Sequence, residues 1–369
     1  MVLEMKRNTF LNVAILSLTL AAINPGILFA EEMAVFRGDL ERSGSFSSAA
    51  VKEPVEVKWT FKTKYEINSS PVIFEDTVYF GSFDGNLYAV DSKSGKEKWH
   101  FETGNWIQSS VAVTGEAVYF GSRNGYFYCL DKRTGKKIWK YFIDDWIISS
   151  PAVFKDKVLF GDGGFLYCLD AKDGSLKWKF RPGLAVWSSP AISKGIVYFG
   201  SFDTYFYAVD AETGRQIWKF KTDEQIETSP AIYKGAVYFG SNDGHFYSLR
   251  ESDGRLLWKS RIGSQITSSA AVNDGVVYFG SSDGNMYALD AKTGEKKWSF
   301  SAGVPISSSP IAAGGVVYFG SYGYLCALDS LTGKLNWSFE AGGQVYSSPV
   351  LREGVIYFAG GDWTLYALE

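Results

Sequence analysis

Residues 268–298 read SSAAVNDGVVYFGSSDGNMYALDAKTGEKKW, and this stretch decides the fold because similar copies of it fill most of the chain. Each complete copy ends in a tryptophan, and consecutive repeat tryptophans are 39 or 40 residues apart. A fixed period of this length is typical of a protein built from one repeated supersecondary unit. The eight repeat tryptophans are Trp59, Trp99, Trp139, Trp178, Trp218, Trp258, Trp298 and Trp337.

Each copy is predicted to fold as four short antiparallel strands, which we name A to D. Its apolar runs are four to six residues long and rich in Val, Ile, Tyr and Phe, with Gly, Asp and Asn between them. This composition is typical of strands joined by turns. Dipeptides such as Asn124-Gly125 and Asp283-Gly284 favour two-residue hairpin turns, which need a backbone with positive φ.

The predicted strands are apolar on both faces, since Val78, Tyr79 and Phe80 follow one another without a polar residue. A sheet with one face in water would alternate, so these sheets must be covered on both sides. Blades packed face to face around an axis provide that cover. We therefore predict an all-β propeller over residues 56–369.

The two ends of the repeat array predict how the ring closes. The last copy, residues 347–369, stops before strand D, whereas residues 57–61 have a strand-D sequence with no strands A to C before it. The N-terminal strand should therefore complete the C-terminal blade, which removes two exposed edges. The result is eight four-stranded antiparallel blades, and we expect the repeat tryptophans to pack between neighbouring blades.

The N-terminus has the pattern of an exported protein. Lys6 and Arg7 precede an apolar stretch over residues 10–22, and cleavage is expected near Ala30, so residues 1–30 read as a signal peptide. The apolar stretch is shorter than the roughly 20 residues of a spanning helix, and we expect no transmembrane segment after cleavage. No lipoprotein cysteine lies near this site. Residues 31–55 read as a polar leader, and the localisation is predicted to be periplasmic or secreted.

Composition narrows the classes of partner. The net charge is −3 and there is no basic run, so nucleic acid is not expected as a partner. Cys129 and Cys168 hold the same strand-C position in adjacent copies. Packed sheets lie about 10 Å apart, too far for a disulfide. We expect these thiols and that of Cys326 to be buried and free, in a monomeric propeller.

The repeat resembles the pyrroloquinoline-quinone (PQQ) repeat in the pattern Tyr-Ala-Leu-Asp-x-x-Thr-Gly-x-x-x-Trp, which runs from Tyr287 to Trp298. The resemblance covers residues 56–369. One branch of that family, the quinoprotein dehydrogenases, is expected to hold PQQ and calcium over the propeller centre, with a vicinal Cys-Cys disulfide, a catalytic Asp, calcium-binding Glu and Asn, and long inter-blade insertions. The other is non-catalytic and includes the BamB-type outer-membrane assembly propeller.

The chain is more similar to the BamB-type branch than to the dehydrogenases. It has no adjacent cysteines and no long insertions between its copies. It departs from the BamB type in lacking the lipoprotein cysteine. The resemblance therefore implies a protein-binding scaffold without a cofactor.

Comparing the copies with one another separates positions that the fold needs from positions that vary. Three residues before a Ser shared by all copies stands Ile or Val, whereas both flanking positions vary. Because side chains alternate along a strand, the flanking residues point away from the core, and the B–C turns share their face. Exposed aromatic residues with a few polar groups mark binding surfaces. The predicted partner- or ligand-binding face consists of Glu66, Phe83, Trp106, Arg123, Trp146, Trp187, Phe202, Tyr205, Glu227, Tyr322, Tyr346 and Trp363.

Motifs for catalysis and metal binding are missing from the sequence. His100 and His245 fall in different copies, and no nucleophile–base motif, phosphate loop or metal-ligand spacing occurs. We predict an exported, non-catalytic scaffold for protein partners, acting in a cell-envelope or outer-membrane protein assembly complex, with no cofactor or metal. Two alternatives stay open: a PQQ-dependent dehydrogenase that uses PQQ with calcium, and a propeller that binds a planar ligand between Trp106, Trp146 and Trp187 or a carbohydrate on the same rings.

Overall fold

The short apolar runs of the sequence form strands, and these assemble into eight small sheets around a central axis. The computed structural model describes residues 33–51 and 55–369, so the predicted signal peptide, residues 1–30, lies outside the described residues. Within the two described ranges there is no helix. The prediction of an all-β, eight-bladed propeller is confirmed.

The strand bounds follow the repeat. Three strands precede the first complete copy: β1 (Met33–Val35), β2 (Ser45–Phe46) and β3 (Val57–Lys62). Blade 1 contains β4 (Val72–Phe74), β5 (Thr77–Gly81), β6 (Asn86–Asp91) and β7 (Glu97–Glu102). Blade 2 contains β8 (Ala112–Thr114), β9 (Ala117–Gly121), β10 (Tyr126–Asp131) and β11 (Lys137–Phe142). Blade 3 contains β12 (Ala152–Phe154), β13 (Lys157–Gly161), β14 (Leu166–Asp170) and β15 (Leu176–Phe180). Blade 4 contains β16 (Ala191–Ser193), β17 (Ile196–Gly200), β18 (Tyr205–Asp210) and β19 (Gln216–Lys221).

The second half continues in the same way. Blade 5 contains β20 (Ala231–Tyr233), β21 (Ala236–Gly240), β22 (His245–Arg250) and β23 (Leu256–Arg261). Blade 6 contains β24 (Ala271–Asn273), β25 (Val276–Gly280), β26 (Asn285–Asp290) and β27 (Lys296–Ser301). Blade 7 contains β28 (Ile311–Ala313), β29 (Val316–Asp329), which runs through the positions of both B and C, and β30 (Leu335–Gln344). Blade 8 contains β31 (Val350–Arg352), β32 (Val355–Ala359), β33 (Thr364–Leu368) and, as strand D, β3.

The N-terminal strand closes the ring, as the sequence predicts. β3 pairs antiparallel with β33, with Trp59 opposite Ala367 and Phe61 opposite Leu365. A second closure runs around the axis, where the backbone N–H of the shared Ser in each blade donates to the Ser hydroxyl of the next. The last of these bonds joins Ser348 N–H to Ser70 Oγ at 2.8 Å. The two ends of the chain are thus joined at the outer edge and at the axis.

The repeat tryptophans lie between neighbouring blades. The indole N–H of Trp298 donates to the carbonyl of Ser330 in the C–D turn of the next blade, at 3.0 Å. A Cβ on Gly333 of that turn would approach the Trp298 ring to 2.6 Å, so the ring packs against a position that must be glycine. The same bond to the following C–D turn recurs for Trp59, Trp99, Trp139, Trp178, Trp218 and Trp258.

The B–C turns differ from the prediction of two-residue hairpins. In blade 1 four residues, Ser82 to Gly85, connect the two strands, and Gly85 N–H donates to the Ser82 carbonyl at 3.2 Å. Of the pair Asp84 and Gly85, Gly85 alone has a positive φ, of 85°. The prediction was wrong because an Asp-Gly pair also suits a longer turn in which only the glycine is left-handed.

Residues 33–51, which the sequence presents as part of a polar leader, cross the central channel near the A–B turns. β1 pairs with the inner strand of blade 2, with Val35 opposite Ala112, and β2 runs parallel to the inner strand of blade 7. Between them, leader carbonyls accept hydrogen bonds at 2.7 to 2.9 Å from the inner strands of blades 4 to 7. The donors are the N–H groups of Ile192, Ile232, Val272 and Ala312.

Arg42 fixes the leader at the centre of the channel. Its side chain is fully buried, and its guanidinium donates to the carbonyls of Phe36 (2.9 Å), Ser150 (2.9 Å), Pro151 (3.2 Å) and Pro190 (2.6 Å). Burial lowers the pKa of Arg42 to about 9, so the group stays protonated at neutral pH. One side chain thereby ties the leader to blades 3 and 4.

Val51, at the end of this segment, takes the place of a turn that blade 8 lacks. The indole N–H of Trp337 donates to the Val51 carbonyl at 3.2 Å, where the other seven repeat tryptophans use a C–D turn. The backbone N–H of Val51 donates to the Tyr318 hydroxyl at 2.9 Å. Blade 8 has no C–D turn of its own because β3 supplies its strand D, and the leader fills that gap.

Candidate binding face

The predicted site residues belong to one face of the propeller, which we call the loop face: it carries the D–A connections between blades and the B–C turns within them. In five blades a backbone N–H of the B–C turn donates to a carbonyl of the D–A connection, as in Phe83 N–H to the Glu66 carbonyl at 2.8 Å. The shared Ile or Val of each D–A connection is at most 2% exposed. The alternation that turns its neighbours towards the surface is therefore present.

The four tryptophans outside the repeat pattern all lie on the loop face. Three of them, Trp106, Trp146 and Trp187, belong to D–A connections, and Trp363 belongs to the B–C turn of blade 8. All four are exposed, Trp146 most of all at 54%. Large apolar rings that gather on one surface mark interaction sites, which makes this face the candidate site.

Four of the predicted residues form a continuous stack across blades 1 to 3. The rings of Phe83 and Trp106 are nearly parallel, at 6°, with centroids 4.4 Å apart. The guanidinium carbon of Arg123 lies 4.9 Å from the Trp106 ring and 4.7 Å from the Trp146 ring. Arg123 also donates to the side-chain oxygen of Gln108 at 2.6 Å, and burial lowers the pKa of its guanidinium.

The stack shows that Trp106 and Trp146 are already in contact with other side chains of the protein. Phe83 and Arg123 both contact the ring of Trp106, so that ring is already paired within the protein. Arg123 fills the space between Trp106 and Trp146, where the sequence analysis allowed a planar ligand. A flat molecule cannot lie between these two rings unless Arg123 leaves, which would cost both cation–π contacts.

Two further aromatic pairs lie elsewhere on the loop face. Trp187 contacts Phe202 with centroids 4.5 Å apart, and Tyr65 contacts Trp363 at 6.1 Å. Trp363 has a φ of 68° at a turn position that other blades fill with glycines such as Gly85 and Gly125. A bulky residue rarely adopts this left-handed conformation, because it strains the backbone.

The remaining predicted residues are dispersed. Glu227 accepts a hydrogen bond from the side chain of Asn242 at 2.7 Å, and Glu66 is half-buried. Tyr205 is covered by Lys219, whose ammonium lies 4.1 Å from the ring. Tyr322 and Tyr346 are exposed and belong to no aromatic pair within the described residues. The structure therefore groups the site into three clusters rather than one pocket.

The sequence analysis missed Tyr65, Asp144 and Asp145. Tyr65 is 60% exposed, and the two aspartates border a shallow depression of about 330 Å³ together with Trp146 and Arg123. Tyr65 and Asp145 stand at the same position of the repeat and Asp144 at the position before it, and both positions vary among the copies. That variation, one and two residues before Glu66 and Trp146 in their connections, was the available signal.

The residues that a quinoprotein site requires do not assemble here. Over residues 33–51 and 55–369, no group of three or more His, Cys, Asp or Glu side chains is placed to hold a metal ion. Cys129, Cys168 and Cys326 are buried free thiols, so they form no disulfide against which a cofactor would pack. Together with Arg123 between its two tryptophans, this donor set does not fit PQQ and calcium.

In the described part of the chain, no helix has both the length and the apolar character that crossing a membrane requires.

Comparisons with known proteins agree with the fold. No curated protein sequence matches the chain. Among solved structures, quinohemoprotein alcohol dehydrogenase from Comamonas testosteroni superposes with a TM-score of 0.80 at 15% identity, over 90% of this chain and 80% of that one. BamB from Moraxella catarrhalis gives 0.75 at 18% identity, over 85% and 99%. A computationally designed protein, Ika8, gives 0.74 at 19%, over 87% and 99%.

These identities establish a shared fold and nothing more, since a dehydrogenase, an assembly factor and a designed protein are all similar to the chain. The match to a family model is more specific. The model described as outer membrane protein assembly factor BamB matches residues 56–141, 143–250, 204–338 and 301–369, which together make up most of the sequence. The chain therefore belongs to the BamB family of PQQ-repeat propellers.

Proposed function

We propose that the protein is an exported, non-catalytic scaffold that binds protein partners through its loop face. The family match supports a role in a cell-envelope or outer-membrane protein assembly complex. The signal-peptide pattern of residues 1–30 supports export, to a periplasm or beyond. The propeller supplies a rigid disc on which loops can present side chains.

One observation carries the proposal: the loop face keeps a large exposed ring at Trp363 although the fold would accept glycine there. The four blades with glycine at this turn position, at Gly85, Gly125, Gly244 and Gly284, adopt the same positive φ without strain. Strained, exposed residues persist where they serve a function. Tryptophan is also among the residues that contribute most to binding energy at protein interfaces.

The position of the leader supports the choice of face. Met33 is the first described residue, and it lies opposite Thr114 beside the A–B turn of blade 2. Whatever precedes Met33 joins the propeller on that side. The loop face lies at the opposite end of the strands, so it stays accessible even when the N-terminal side of the propeller is bound to another molecule.

The proposal is tested by replacing Trp363 with glycine and capturing partners from the native envelope by crosslinking and mass spectrometry. Trp363→Gly should unfold within about 1 kcal/mol of the wild type, because lost contacts are offset by relief of strain. Partner capture should weaken by about 2 kcal/mol, or roughly thirtyfold.

Thr204→Gly is the matched control, since Thr204 has a φ of 71° at the equivalent turn of blade 4 but carries no aromatic ring. Capture that is equally strong for wild type, Trp363→Gly and Thr204→Gly would count against the loop face as the docking surface.

A further inference from the structure

Blade 3 is one residue shorter than blades 1 and 2 in the B–C region. When the copies are aligned, Asp162, Gly163 and Gly164 stand where blade 1 has Ser82 to Gly85, which is why Trp139 and Trp178 are 39 rather than 40 residues apart. A Cβ built on Gly164 would meet nothing within 4 Å. Where blades 1 and 2 place Phe83 and Arg123, blade 3 has Gly163, and the Asp145 carboxylate lies where a side chain on that residue would begin.

The backbone carbonyl of Trp146 is left without the bond that five of its counterparts make. In blades 1, 2, 4, 5 and 6, the corresponding D–A carbonyl accepts an N–H from the B–C turn at 2.8 to 3.0 Å. Among the described residues, no N–H or hydroxyl donates to the carbonyl of Trp146. A hydrogen-bond acceptor therefore faces the blade 3 turn.

The ring of Trp146 is likewise half paired. Trp106 is contacted by the B–C side chain of the preceding blade, Phe83, and by that of its own blade, Arg123. Trp146 is contacted by Arg123 from the preceding blade, but its own blade offers only Gly163 and Gly164. This missing contact accounts for the high exposure of the Trp146 ring.

Two carboxylates, those of Asp144 and Asp145, border the depression beside Trp146. The Asp145 carboxylate reaches the blade 3 turn, because a Cβ on Gly163 would lie 2.0 Å from its Oδ2. Asp144, with a φ of 65°, places a second carboxylate where other D–A connections have a left-handed glycine such as Gly104. The Asp144 carboxylate has no hydrogen-bond partner within the described residues, and Arg123 is the cation that contacts Trp146.

We propose that this slot, formed by Trp146, Asp145 and the Gly163-Gly164 turn, receives an arginine side chain of a partner protein. The inference rests on the proposed scaffold function and names the chemistry of one contact. A guanidinium can stack on the indole while donating in its plane to a carboxylate and a carbonyl. Arg123 shows a related arrangement within the chain, since its guanidinium carbon lies 4.7 Å from the Trp146 ring while it donates to the side-chain oxygen of Gln108.

Other occupants match the slot less well. A lysine ammonium is a point charge that cannot stack as a plane. The backbone N–H of Trp146 already donates to Asp145 Oδ1 at 2.6 Å, and an aromatic side chain would leave Asp145 Oδ2 and the Trp146 carbonyl without a donor. A pyranose could stack and donate through hydroxyls, and it is therefore included as a competing probe.

The probe is N-acetyl-arginine amide, added to the full mature protein labelled with ¹⁵N. Binding is followed at the indole N–H of Trp146, assigned with Trp146→Phe. N-acetyl-citrulline amide, which has nearly the same shape and no charge, should bind about tenfold more weakly. Methyl glucopyranoside should leave the signal unchanged.

Two variants separate filling of the slot from damage to the fold. Gly164→Arg should place a guanidinium in the slot and abolish probe binding, whereas Gly164→Ala should fold and bind as the wild type does. The inference is overturned if citrulline binds as tightly as arginine, if the glucopyranoside alone shifts the signal, or if Gly164→Arg binds normally. Partner capture that depends on Trp363 but survives Gly164→Arg would refute the arginine slot while leaving the docking face intact.

Discussion

The leader should be locked by Arg42, and Arg42→Met is the substitution that tests this most directly. Methionine keeps the apolar volume but leaves four carbonyl acceptors, at 2.6 to 3.2 Å in the native contacts, without their donor. Hydrogen bonds to a charged group are worth about 1.5–3 kcal/mol each. Part of this is offset, because the variant no longer buries a guanidinium. Each buried carbonyl that is left without a donor costs about 1–3 kcal/mol.

We expect Arg42→Met to lose at least about 3 kcal/mol, because several buried carbonyls lose their donor at about 1–3 kcal/mol each, and to lose it first at the leader. Hydrogen–deuterium exchange of residues 33–51 should accelerate about a hundredfold, while the outer strands respond less. Urea unfolding measures the global loss. Arg133→Met is the control, because Arg133 is exposed and far from the leader. If Arg42→Met and Arg133→Met exchange and unfold alike, the leader is not held by this side chain.

Two further predictions concern the repeat itself. Trp298→Ala should lower the free energy of unfolding in urea by about 3–5 kcal/mol, because Trp298 packs on a glycine turn and bonds to Ser330. Trp187→Ser should lower it by less than about 1.5 kcal/mol. Equal losses would mean that Trp187 belongs to the core. Acid should destabilise the C–D turns. The hydrogen bond from the Thr134 hydroxyl holds the pKa of Asp131 below its usual value. The stability that the Asp131 carboxylate contributes is therefore present above about pH 4 and is lost as pH falls through the lowered pKa. Asp131→Asn should accordingly show a shallower fall of the urea midpoint between pH 5 and 3, and an unchanged slope would contradict this account.

The blades could be predicted because each of their contacts is repeated. The indole of every repeat tryptophan, the shared Ile or Val and the Ser at the axis recur at a fixed interval, so a single sequence contains its own alignment. The Ile packs so closely on the preceding blade that a Cβ on Gly121 would lie 2.1 Å from Ile147. A small residue and a β-branched residue therefore recur at those positions, glycine in seven copies with Ala359 in the eighth, and Ile or Val throughout. The pattern is visible without a structure.

The leader and the stack could not be predicted, because each of their contacts occurs once. Arg42 binds backbone carbonyls, and a carbonyl has no residue identity for a sequence pattern to show. Arg123 meets Trp106 and Trp146 only because two turns and two connections from neighbouring blades converge. The variable positions were found correctly, but whether a variable ring faces water or another side chain depends on the neighbouring blade.

The departures from the repeat therefore carry more functional information than the repeat does. A designed protein adopts this fold with a TM-score of 0.74, so the architecture by itself requires no partner. This chain departs from its own pattern at the blade 3 turn, where a residue is missing beside Trp146, and at the blade 8 turn, where Trp363 strains a glycine position. Both departures lie on the loop face, and each lies at or beside an exposed tryptophan. Two independent departures from the repeat on one surface are expected if that surface binds a partner. If Trp363→Gly loses partner capture without losing stability, the departure at Trp363 serves binding and is not chance variation.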